Sequence, residues 1–220
     1  AEPCALLFCG ALPIVNVRHV ESGGPASAPL DRAGLCVRGT AKMKFNIVGL
    51  QVCPENDRHL VAWGTSEVCV VVLNKDCDKV LRKVELSVDL EPHECETEYL
   101  LQCKWLPRSE TMVVVTCGTF VKVFDIRRAT GSGASPESDF SCRSSTCYTL
   151  AYEDVLIRSG ALMVKGANGS SPDGSSSYTV RMALLFDSGR LHFSDLSIDC
   201  GELEDQGESY IECGDGVPFP

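Results

Sequence analysis

Two stretches of this sequence hold residue types that metal chemistry needs. His93 and Cys95 stand two apart in EPHECETE (91–98), beside Glu94 and Glu96. A tetrahedral site takes four donors, so two more would have to arrive from elsewhere, and the stretch reads instead as a solvated acidic loop. The run DCGELEDQGE (199–208) is acidic, but it lacks the full set of alternating carboxylates before a central glycine that a calcium loop needs. Nucleophilic chemistry finds no better footing. There is no Gly-x-Ser-x-Gly turn, no phosphate-cradling glycine pattern and no recognisable cysteine-nucleophile context. The expectation is a segment with no catalytic residues, no metal, no cofactor and no small-molecule substrate.

The thirteen cysteines are scattered along the chain and form no Cys-x-x-Cys pair. Cys69, Cys103 and Cys117 sit inside apolar runs, where a thiol acts as a small hydrophobe. This usage predicts reduced, buried thiols in a cytoplasmic protein. The formal net charge is −10. Residues 1–128 contribute 15 basic and 16 acidic side chains, a net of −1, and residues 129–220 contribute 5 and 14, a net of −9. Phosphate neutralisation needs a basic face, so neither nucleic acid nor an anionic membrane surface is expected as a partner. No fully apolar run exceeds six residues (68–73 is one), against the ~20 that a spanning helix needs. No leader pattern stands at the start, and membrane insertion is not expected. Because the chain opens on Ala1, it reads as a fragment of something longer.

The elements that would hold any interaction surface are short strands, since β-branched residues dominate the apolar runs and helical periodicity is weak. Stretches 21–34, 129–145 and 165–177 are rich in Gly, Ser and Pro. They predict partly disordered surface inserts, of which 129–145 and 165–177 are expected to be dispensable. Between them lies a repeat. VVVLNK (70–75), VKVFDI (121–126) and LHFSDL (191–196) each carry apolar residues at the first and third positions and Asn74, Asp125 or Asp195 at the fifth. A strand ending at Gly64, Gly118 or Gly189 precedes each, and LQVCP (50–54) and CKWLP (103–107) precede the first two of those. The unit is therefore strand, proline turn, strand, glycine turn, strand, and a looser fourth strand.

Four antiparallel strands in about 40–50 residues make a β-propeller blade. The expected fold is all-β, a WD40-like β-propeller segment of four-stranded antiparallel blades, with a β-sandwich as its rival. Residues 1–43 would be a partial blade, with 4–10, 12–17 and 34–39 as its second, third and fourth strands and an insert at 21–34. Whole blades would occupy 44–98, 99–152 (insert 129–145) and 153–220 (insert 165–177 and the acidic loop). Asn74, Asp125 and Asp195 are expected to hold the turn after each third strand through backbone N–H groups. Trp63 and Trp105 are expected in core or blade-edge packing, with a rim binding anchor as the alternative for one of them.

The run WLPRSETMVVVTCGTFVKVFDI (105–126) resembles the WD-like propeller region of the giant N-degron-recognising ubiquitin ligases, the calossin or Pushover form of animals and the BIG form of plants. The similarity rests on Trp105, Pro107, Ser109, Val114, Val115, Thr116, Phe120, Val121, Lys122, Phe124 and Asp125, with weaker likeness at HLVAWG (59–64) with Cys69 and at LLFDSGRLHFSDLS (184–197). The resemblance implies a non-catalytic cytoplasmic scaffold of an E3 ubiquitin-protein ligase of the N-end rule pathway, whose partners are other segments or subunits of that assembly. The family's substrate-binding zinc box and a RING-like cysteine array are not found in this segment. The alternative is an independent WD40-like adaptor in trafficking or signalling.

Overall fold

The computed structural model describes residues 4–9, 14–19, 37–91, 101–131, 139–150, 155–168, 177–199, 202–203 and 208–211. The expected insert at 21–34 and the residues His93 and Cys95 lie outside these, as do 132–138, 169–176 and most of the acidic loop. The fold is all-β, and no α-helix occurs among the described residues. Val-rich runs dictate this: β-branched side chains are stiff at χ1 and pack well on a pleated surface.

Four sheets follow one another. β1 (Cys4–Cys9), β2 (Ile14–His19) and β3 (Val37–Met43) form the first. The second is an antiparallel meander of β4 (Gly49–Val52), β5 (His59–Trp63), β6 (Val68–Leu73) and β7 (Val80–Leu86). The third begins with β8 (Gln102–Trp105), β9 (Met112–Thr116) and β10 (Phe120–Asp125), followed by a 3-10 turn over Ile126–Arg128. Next come β11 (Asp139–Cys142) and β12 (Thr146–Leu150), of which β12 completes the third sheet beside β10. The fourth contains β13 (Ile157–Asn168), β14 (Ser177–Phe186), β15 (Leu191–Asp199) and the two-residue β16 (Glu202–Leu203). The last strand is β17 (Glu208–Ile211).

Alternation along the strands stacks these sheets through three apolar layers. In β6, Cys69, Val71 and Leu73 pack with Leu60, Ala41 and Met43 against the first sheet. Val68 and Val70 point the other way and pack with Val113, Val115 and Phe124 of the third sheet. Val121 and Val123 of β10, with Met112 and Val114 of β9, then meet Val180, Met182 and Leu184 of β14. The second and third sheets are thus buried on both faces.

The edges are tied as well. Gln51 of β4 accepts from the Trp105 indole N–H of β8 through its backbone oxygen at 3.2 Å. Gln102 of β8 donates to the Arg158 carbonyl of β13 at 3.0 Å, and Lys104 donates to the Gly160 carbonyl. At the opposite edges, β11 pairs parallel with β7, and β17 pairs parallel with β12. Each clasp strand therefore follows the next sheet's third strand and returns to the preceding sheet.

Three expectations need correction. The first sheet runs in the order β2-β1-β3, with β1 central, and not as three consecutive neighbours. The long connection over 20–36 lets the chain return to the free edge of β1, since closure cost grows slowly with loop length. Part of the 129–145 insert is structural: Cys142 is fully buried, Phe140 packs on the layer between the second and third sheets, and Ser87 donates its backbone N–H to Cys142 at 2.9 Å. Two alternate apolar residues in an otherwise polar segment suffice for a clasp strand. Likewise β13 extends through 165–168, within the expected 165–177 insert. At Gly160 of β13 a Cβ would lie 3.3 Å from the Leu184 side chain, a tight contact within the fourth sheet, and 3.5 Å from Thr116 of the third, an ordinary one.

Phe124 is fully buried between two sheets, so Phe124→Ala should cost about 3–5 kcal/mol in urea unfolding. Leu81→Ala, at an exposed position of β7, should stay within about 0.5 kcal/mol of the parent chain. Equal costs at the two positions would contradict the layered arrangement.

Candidate interaction surface

The three residues expected at turns do not share one role. Asn74 closes the β6–β7 turn: its side-chain oxygen accepts from the backbone N–H groups of Asp78 (3.0 Å) and Lys79 (3.1 Å). Asp125 ends β10 and caps the 3-10 turn, accepting the Arg127 backbone N–H at 3.1 Å and the Arg127 guanidinium at 2.6–3.0 Å. Its carboxylate is almost wholly buried. Asp195 does not stand at a turn but within β15, which corrects its expected role. The hairpin-closing bonds Cys117 N–H to Phe120 and Phe186 N–H to Arg190 put Asp125 and Asp195 at equivalent positions. The difference is strand length, because β15 continues to Asp199 while β10 stops at Asp125. The same alignment, through Gly64 N–H to Glu67, places Asn74 two residues further along.

Trp105 is buried between the second and third sheets, its ring stacked on His59 at a centroid distance of 6.1 Å. That excludes it as a rim anchor. Trp63 is half-buried and lies over Gly49, its antiparallel partner in β4, where any Cβ would overlap the indole. Cys69, Cys103 and Cys117 are buried within the layers. Burial pushes the Cys103 thiol up, and burial followed by the nearby Asp125 carboxylate pushes Cys142 up to about 11. Neither thiol offers a reactive thiolate. Among the described residues no cluster of three or more His, Cys, Asp or Glu could hold a metal ion, and no helix is long and apolar enough to cross a membrane.

What remains is the outer face of the fourth sheet. On β14, Tyr178, Val180, Met182, Leu184 and Phe186 are buried against the third sheet. The alternate residues pair on the other side, Ala183 opposite Phe193, Leu185 opposite Leu191, and Met163 opposite Arg181. Phe193 is 51% exposed and Met163 48%. Asp195 spans this face, accepting from Arg181 at 2.8 Å and from Lys165 at 2.7 Å. Those two bonds, Arg181 first, hold its carboxyl well below the usual carboxylate range. His192, on the inner side, is held below the ordinary histidine value by burial.

Leu191 and Phe193 occupy the positions of Val121 and Val123 in β10 and of Val68 and Val70 in β6, judged by the same hairpin bonds. Those four valines each face the next sheet. Sequence reasoning found the repeat but attached significance to its fifth position. The signal for this surface lay in its first and third. Comparison with protein-family models and with curated proteins finds no match for the chain.

Asp125→Ala should lower stability by about 1–2 kcal/mol, because it uncaps the 3-10 turn and removes a buried acceptor. Thermal unfolding checks this. A melting temperature within error of the parent would show that the cap contributes nothing.

Proposed function

We propose that this chain is a propeller-type scaffold segment whose role is to dock other protein elements, each sheet acting as one blade. The outer face of the fourth sheet supports this reading most directly. Exposed Phe193 and half-buried Leu191 occupy the positions that the two preceding sheets bury fully against a neighbour, so the stack is built to continue. The occupant that fits is another sheet of the same kind, apolar at its facing positions. Exposed Met163 and Phe193 beside the Arg181–Asp195–Lys165 ion pairs form an apolar patch rimmed by charge, the kind of surface that marks an interaction site.

The wider setting we propose is a cytoplasmic scaffold within a giant N-degron-recognising E3 ubiquitin ligase, in which other segments carry out recognition and transfer. The pattern from Trp105 to Asp125 supports it: the residues of the resemblance include those that build the layers and the turn, Trp105, Phe124 and Asp125 among them.

Depleting the parent protein from cells should lengthen the half-life of an N-degron reporter, and re-expressing the full-length protein should restore its turnover. Full-length Phe193→Asp, at equal abundance and unchanged melting temperature, should restore it poorly, and Phe193→Leu should restore it fully. Unchanged reporter turnover on depletion would overturn the ligase setting. Full rescue by Phe193→Asp would overturn the docking role of this face.

A further inference from the structure

Among the described residues the fourth sheet lacks a partner along its edge as well as on its face. In the third sheet β12 covers β10 from Phe120 to Val123, and in the second β7 covers β6 from Val68 to Leu73. In the fourth, β16 pairs only with Ile198 and Asp199 of β15. Among the described residues nothing pairs with the edge from Leu191 to Ser197. The chain after β15 instead supplies β17, which clasps β12 as β11 clasps β7. The clasp is present, and the strand that follows it in the third sheet has no described counterpart.

We infer that the β15 edge from Leu191 to Ser197 receives an extended strand from a partner polypeptide, added antiparallel. This rests on the equivalence of the third and fourth sheets and not on the ligase setting. The hairpin bond from Phe186 N–H to Arg190 (2.9 Å) sets the alternation. His192, Ser194 and Leu196 therefore direct their backbone groups to β14, while Leu191, Phe193 and Asp195 direct theirs to the open edge. The register of β12 on β10 describes the occupant. Tyr148 lies opposite Val121, Cys147 opposite Lys122 and Thr146 opposite Val123. The incoming strand thus carries an aromatic or large apolar residue opposite Leu191, a small one opposite His192 and a β-branched one opposite Phe193.

Two other occupants fit less well. In 212–220, Pro218 and Pro220 have no N–H to give a ladder, which leaves only 212–217, with two glycines, to set against the edge from Leu191 to Ser197. A second copy paired through its own β15 about Ser194 sets the charged Asp195 against Phe193 on one face.

Amide exchange read by NMR on the whole chain tests the inference, with a synthetic peptide of residues 144–151 carrying serine at the Cys147 position as the probe strand. In the chain alone the amides of Leu191, Phe193 and Asp195 should exchange fast, and those of His192, Ser194 and Leu196 slowly. Saturating peptide should slow the first set by about tenfold or more, and a peptide with proline at the Tyr148 position should not. Slow exchange of the first set in the dilute chain alone would mean that its own segments cover the edge. Protection that rises with chain concentration would mean a second copy does. Either result, or no protection by the peptide, overturns the inference.

Discussion

A β-sheet that is apolar on both faces has no side to give to water. The second sheet is such a sheet, with Val61, Val70 and Val84 fully buried on one side and Leu60, Cys69 and Val71 on the other. At roughly 25 cal/mol for each Å² of apolar surface removed from water, neither face can be left open without forfeiting the gain that orders the strands. Stacking is therefore a condition of folding for this chain, and every other feature follows from how the stack is held and where it stops.

Two devices hold it. First strands lie side by side and exchange hydrogen bonds through Gln51, Trp105, Gln102 and Lys104. At the far edge, β11 and β17 reach back one sheet and add a parallel strand. A parallel pair between successive units means that one sheet cannot leave without tearing a ladder of the one before it. Among the described residues the stack ends at the fourth sheet, and none of them covers its outer face or pairs with the β15 edge from Leu191 to Ser197. Surface and edge adjoin, so one further sheet of the same kind would cover both.

Much of this was legible in the sequence, and the failures are instructive. The strand–glycine–strand hairpins were visible because alternation and turn residues are local. Gly189 adopts a left-handed conformation (φ 77°) in such a turn. The tryptophans followed the same logic, Trp105 settling in a layer its neighbours in sequence already predicted to be apolar. What failed was non-local. The β2-β1-β3 order depends on which edge a long connection returns to, and β11 depends on a partner, β7, more than fifty residues away. Composition averaged over 129–145 hid Phe140 and Cys142. Asp195 failed differently. It matched Asp125 in position, but the strand around it ran four residues longer, so a residue that caps a turn in one sheet bridges three strands in another.

If shared layers make the sheets one cooperative body, their amides must lose protection together. Native-state hydrogen exchange in increasing denaturant, followed at Val70 and Val71 of β6 and at Val113 and Val114 of β9, measures this directly. The account predicts a single opening free energy for both strands across the series. Two separate isotherms, with one strand opening while the other stays protected, would mean that each sheet stands alone and that the layered stack is not what holds this protein together.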